Sequence, residues 1–162
     1  MKRTIAVLVE NKPGVLARVA SLFRRRGFNI DSLAVGTTER EDISRMTIVV
    51  RGDDRTVEQV MKQLNKLIEI IKVSDLTQNS VDRELALVKV AATTETRGEI
   101  IEIANIFRAR IVDVARDSLI IEITGDEEKI NAFIDLMRQY GTKELARTGK
   151  ISMARGAKVV QI

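Results

Sequence analysis

The sequence predicts an α+β protein made of two ferredoxin-like βαββαβ domains in tandem. Three observations predict it. Apolar periodicity runs strand, helix, strand, strand, helix, strand from Thr4 to Val73, and the same order returns from Leu85 to Thr148. Two short segments align between the copies: Ala20-Ser21-Leu22-Phe23-Arg24 with Ala104-Asn105-Ile106-Phe107-Arg108, and Gly52-Asp53-Asp54 with Gly125-Asp126-Glu127. Between them the polar stretch Thr77-Gln78-Asn79-Ser80 ends the first copy, so the expected domains are 1–77 and 78–162.

In the first copy, Thr4 to Val9 is short, apolar and stopped by Glu10-Asn11-Lys12-Pro13-Gly14, which reads as a buried strand. Val15, Leu16, Val19, Ala20, Leu22 and Phe23 then share one helical face, with Arg18, Ser21 and Arg25 opposite. Arg24-Arg25-Arg26 puts cations at the negative end of that helix, and Gly27 supplies a left-handed cap. Phe28 to Val35 and Arg45 to Arg51 read as a hairpin whose polar tip is Thr37 to Asp42. Gly52-Asp53-Asp54 offers acceptors to a second helix with Val57, Val60, Met61 and Leu64 inward, and Ile68 to Val73 closes the copy. In the second copy the strands are Leu85 to Ala91, Ile111 to Ala115, Leu119 to Thr124 and Lys143 to Thr148. Its helices run from about Glu99 to Arg108 and from Glu127 to Arg138.

Composition removes several chemistries. Without cysteine or histidine there are no disulfides, no thiolate or imidazole metal ligands and no Cys-His or Ser-His nucleophile. Apolar residues at 44% and charged residues at 31% are the balance of a globular protein. No apolar run approaches the ~20 residues of a spanning helix, and the apolar stretch after Met1-Lys2-Arg3 lacks a small-residue cleavage site; a cytoplasmic protein without a membrane partner is expected. Glu41-Asp42 and Glu127-Glu128 sit in a polar connection and a helix first turn, where carboxylates are solvated or capping rather than catalytic. The Arg24 to Arg26 run is read as a solvated helix end, with docking of a partner as the alternative.

The segment most suited to a ligand is Asn11-Lys12-Pro13-Gly14-Val15-Leu16. A helix that opens after Pro-Gly presents unpaired N–H groups at its positive end, where a carboxylate can sit. Pro13 has no N–H to waste there, and Gly14 has no side chain to hold a ligand off the backbone. Asn11 and Asn29 bracket the helix, and an amide can accept from an ammonium and donate to a carboxylate, the two groups of a free amino acid. Val15, Leu16, Ile30 and Val35 would supply apolar lining for a small branched side chain. The plain alternative is a strand-to-helix turn with two turn asparagines. In the second copy the loop is Glu95-Thr96-Arg97-Gly98, whose glutamate would repel a carboxylate, so ligand binding is expected in the first domain and partner contact in the second.

These residues carry a resemblance. Val7 to Val19 and Phe23 to Leu33, with Ser44-Arg45-Met46-Thr47-Ile48, Arg83 to Val90, Ile111 to Val114 and Ala146-Arg147-Thr148-Gly149, resemble the small subunit of acetolactate synthase, whose first domain is an ACT domain. The resemblance implies a homodimer through ACT domains that binds and activates a catalytic large subunit and transmits feedback inhibition, valine first, in branched-chain amino acid biosynthesis. It implies no cofactor in this chain: thiamine diphosphate, Mg²⁺ and FAD would belong to the large subunit. It places the effector between two ACT domains, held by Asn11, Gly14, Val15 and Leu16 of one and by Asn29 and Ile30 of the other.

Two rivals remain at this level. A stand-alone amino-acid sensor regulating another enzyme would use the same loop. An RNA-binding ferredoxin-like sheet would need stacking aromatics on its central strands, yet Arg45 to Arg51 has none and the chain is 3% aromatic.

Overall fold

The apolar run from Thr4 to Val9 lies inside β1 (Lys2–Glu10), and every residue of it is buried in the computed structural model, which describes residues 1–160. A strand of alternating character would bury one face only. Here Ile5, Val7 and Val9 join the helix-side core, while Thr4, Ala6 and Leu8 are buried on the opposite face.

The first unit continues through α1 (Val15–Arg26), β2 (Ile30–Thr37), β3 (Ile43–Arg51), α2 (Asp54–Asn65) and β4 (Ile70–Asp75). Its strands lie in the order β2-β3-β1-β4, so the two central strands are the first and third in sequence, as a split βαβ topology requires. Val15, Val19, Leu22 and Phe23 of α1 meet Val57, Val60 and Leu64 of α2 over Met46, Ile48 and Val50 of β3. Leu16 and Ala20, read as core-facing in the sequence, are exposed; the true inward stripe is narrower and is set by the turn that starts at Gly14. The caps are as expected. Gly27 is left-handed (φ +71°), its N–H donating to Arg24 at 3.3 Å and that of Phe28 to Phe23 at 3.0 Å. Asp53 accepts from the Thr56 amide at 2.9 Å, and this bond, with a second from the Thr56 hydroxyl, lowers the Asp53 carboxyl below its ordinary value.

The second unit repeats the plan with β5 (Ser80–Ala91), α3 (Arg97–Ile106), β6 (Arg110–Val114), β7 (Ser118–Gly125), α4 (Glu127–Met137) and β8 (Thr142–Arg147), in the order β6-β7-β5-β8. Asp126 accepts from the Lys129 amide at 2.9 Å, the counterpart of Asp53 with Thr56, so the aligned Gly-Asp segments are equivalent N-caps. Its core holds Val88, Val90, Ile121, Ile123, Ile130 and Phe133, the last packed edge-on against Phe107 with ring centroids 5.3 Å apart.

A further strand, β9 (Ile151–Ala154), pairs with β5 and has no counterpart in the sequence reading. It changes the division of the chain. Compact packing groups Met1–Asp82 with the segment from Lys150 onward, and Arg83–Gly149 separately, whereas the sequence placed a single break after residue 77. Strand ends also move: β2 starts at Ile30 rather than Phe28, and β4 at Ile70 rather than Ile68. The reason for the first shift is the helix stop at Gly27, which consumes the Phe28 amide.

Candidate effector site in the first unit

Between β1 and α1 the chain turns through Asn11-Lys12-Pro13-Gly14. The Asn11 amide N–H is donated to Asp42 at 2.8 Å and its side-chain Nδ2 to the Glu41 carbonyl at 2.9 Å, so Asn11 fixes the β2–β3 connection beside the helix opening. The side-chain oxygen faces no partner among the described residues and remains available as an acceptor.

Gly14 is the N-cap of α1 and is left-handed (φ +87°, ψ −11°), a conformation that favours glycine. No side chain caps this helix. The Val15 N–H reaches Lys12 at 3.4 Å, and the first regular helical bond is Arg18 to Gly14 at 3.1 Å. The amides of Leu16 and Ala17 therefore point out of the positive end of α1 with nothing of the protein's own, among the described residues, to satisfy them. A Cβ built on Gly14 would meet no atom within 4 Å, so the space beside this turn is unfilled.

The corresponding turn in the second unit is held differently. Thr93 and Thr96 exchange amide-to-hydroxyl bonds of 2.9 and 3.1 Å across the opening of α3, and Arg97 is tied to the Ala115 and Arg116 carbonyls at 2.7 Å. These bonds order the turn ahead of α3, but as at α1 no side chain caps the helix itself. The sequence had singled out Glu95 as the difference; the threonine pair was not anticipated.

The apolar candidates divide. Val15 is 5% exposed and Ile30 packs on the helix-side core, so their side chains are spent on folding and they offer backbone only. Leu16 and Val35, at 46% and 47% exposed, are free to meet an aliphatic group. Val35 pairs with Met46 and so lies on the helix-bearing face, toward the Gly14 end of the sheet.

Asn29 and Ile30 are elsewhere. Glu10 pairs with Ile43 and Ile30 with Val50, seven residues further along β3, so the start of β2 lies about 24 Å from the end of β1. Asn29 Nδ2 donates to Asp31 at 3.0 Å, and Asp31 is held by Arg51 at 2.8 Å. Within one chain Asn11, Gly14 and Leu16 thus gather at one end of the sheet and Asn29 and Ile30 at the other. No small ligand spans them.

The faces of the two sheets bear on the nucleic-acid rival. In the first unit the face away from the helices is buried through Thr4, Ala6, Leu8, Thr47 and Val49, leaving no platform for bases. In the second it carries Leu87, Lys89, Ile120 and Glu122, none aromatic. Among the described residues no helix is long and apolar enough to cross a membrane.

Two split βαβ units in tandem, the first with an uncapped glycine turn at its first helix, are the frame on which the likeness to known proteins rests. Residues 5–72 match the family described as AHAS small subunit-like ACT domain, and residues 83–156 match that described as small subunit of acetolactate synthase. A protein of Archaeoglobus fulgidus described as a probable acetolactate synthase small subunit is 77% identical over 98% of this chain and 99% of its own length. The acetolactate synthase small subunit of Mycolicibacterium smegmatis is 58% identical over 94% of this chain and 91% of its own. The crystal structure of the acetolactate synthase small subunit from Thermotoga maritima superposes with a TM-score of 0.91 at 47% identity, covering 98% of this chain and 99% of that one. The chain belongs to the acetolactate synthase small-subunit family: it is a regulatory subunit, and a catalytic large subunit is its partner.

Proposed function

We propose that this chain activates the large subunit and confers feedback inhibition by a branched-chain amino acid, valine first, bound between the first domains of a homodimer. One observation supports the reading: the helix opening at Gly14 has no side-chain cap, and the two halves of the candidate site lie at opposite ends of the same sheet. They can meet only if a second copy turns end for end. Strand β2 is an edge of its sheet, and an edge strand presents unpaired N–H and C=O groups. Two copies pairing β2 antiparallel about a two-fold axis set the start of one β2 beside the end of the other and keep both helix layers on one side. Asn29 and Ile30 of one copy then approach Asn11, Gly14, Leu16 and Val35 of its mate, twice per dimer.

In that arrangement the effector carboxylate takes the bare amides of Leu16 and Ala17, the asparagine amides take its ammonium and remaining carboxylate oxygen, and Leu16 and Val35 cover the branched side chain. Because both copies contribute, ligand binding favours whichever quaternary arrangement buries it, by no more than its difference in affinity between arrangements. The second unit, whose loop before α3 carries Glu95 where a carboxylate ligand would be repelled, supplies contact with the large subunit. Thiamine diphosphate, Mg²⁺ and FAD are assigned to that partner, and the complex works in the cytoplasm.

Calorimetric titration of valine, leucine and isoleucine into the purified chain tests this directly. Saturable binding of valine is expected at one site per chain, with inhibition of the reconstituted complex over the same concentration range. No heat with any of the three, while the complex is still inhibited by valine, would move the site to the large subunit.

A further inference from the structure

We propose that the segment Lys150–Ala154 is a strap that carries effector occupancy from the first unit into the second, with Ser32 and Arg45 as the positioning residues that hold it; this rests on the effector site described above. The strap follows the Ala146-Arg147-Thr148-Gly149 run, which the effector site does not use.

Its bonds change sides within two residues. The Thr148 amide donates to Leu85 at 3.0 Å and the Leu85 amide to the Thr148 hydroxyl at 3.1 Å, both inside the second unit. After Gly149, left-handed at φ +84°, the Lys150 amide donates to Ser32 Oγ at 3.1 Å and Arg45 Nη2 donates to the Ser152 carbonyl at 2.7 Å, both inside the first. The Ser152 hydroxyl donates to Asp82, the last residue of the first unit before the chain enters the second along β5, and Lys150 Nζ lies 3.5 Å from the same carboxylate. The two covalent crossings between the units, at Asp82–Arg83 and Gly149–Lys150, are thus tied to each other on the first unit's side.

What the strap grips matters as much. Ser32 is two residues beyond Ile30 on β2, the strand that carries the receiving half of the effector site. Arg45 is the third residue of β3, just after the connection that Asn11 holds through Glu41. Each half of the site therefore has one grip on the strap. Met153 and Val160 line a cavity with Leu8, Ile43 and Arg45, so the segment lies against the sheet face away from the helices. Ser152 is buried, and burial pushes the Arg45 guanidinium below its ordinary value, offset in part by Glu39; bonds so shielded from water count for more than exposed ones. An effector that draws the start of β2 and the β2–β3 connection into fixed positions acts on both grips at once, and the docked and released strap are the two states it biases.

The test uses the full chain with its large subunit. Ser32→Ala and Arg45→Met, singly and together, are compared with wild type in three readouts: valine affinity of the isolated chain, stimulation of the large subunit without valine, and the valine concentration for half inhibition. The double variant should keep affinity and stimulation within about twofold while half inhibition moves up by at least about tenfold, and Ser32→Thr should restore it in part. Unchanged half inhibition in both single variants and the double overturns the strap. So does a parallel loss of affinity and inhibition, which would make these residues mere supports of the sheet. A wild-type chain that binds no valine refutes the effector site itself, and the strap with it, before any variant is read.

Discussion

Gly14→Asp removes valine sensitivity while leaving stimulation of the large subunit intact. The added Cβ meets nothing within 4 Å, so the unit folds, and the left-handed backbone costs the new residue only ~1 kcal/mol. The consequence at the site is much larger. An aspartate at position 14 puts a negative charge at the helix opening, where it would repel the effector carboxylate. A loss of valine affinity of at least about 100-fold is expected, roughly 2.8 kcal/mol. Gly14→Ala carries the same backbone strain without the charge and should lose far less. Inhibition of the Gly14→Asp complex at wild-type valine concentrations would remove the helix opening from the account.

The largest effect on stability is expected from Phe133→Ala. Phe133 is fully buried at the centre of the second core and packs edge-on against Phe107, and truncating such a residue costs ~3–5 kcal/mol. A domain of this size holds only about 0.05–0.15 kcal/mol per residue, so most of its stability is at stake. The two cores share no residue. Hydrogen exchange resolved to peptides should therefore show protection lost across Ser118–Met137 and kept across Ile5–Val50, with valine binding preserved and stimulation of the large subunit lost. Equal loss of protection in both regions would show that the units do not stand on separate cores.

Much of this fold was legible because its determinants are local. Alternation, the 3.6-residue stripe, the glycine cap at Gly27 and the aspartate caps at Asp53 and Asp126 all act within a few residues, and each is where periodicity placed it. The start of α1 was legible for the same reason, since Pro13-Gly14 dictates a helix start from inside the chain. What was missed acts over distance. Arg45 to Ser152 and Ser32 to Lys150 span more than a hundred residues, and a four-residue strand flanked by Gly149 and Gly156 leaves no period to read. The double burial of β1 shows in its unbroken apolar run, but the segment that shares in covering its far face does not. The placement of Asn11 and Asn29 at opposite ends of the sheet follows from strand register, which sequence spacing does not reveal.

Mixed dimers of two disabled chains test the shared site most directly. A Gly14→Asp chain and an Asn29→Ala chain, each impaired for valine as a homodimer, are co-expressed with different tags and the mixed species is purified. One of its two sites then collects both substitutions and the other neither, so calorimetry should return one wild-type-affinity valine per dimer. A mixed dimer as impaired as its parents would contradict a site built from two copies and confine the ligand to a single chain.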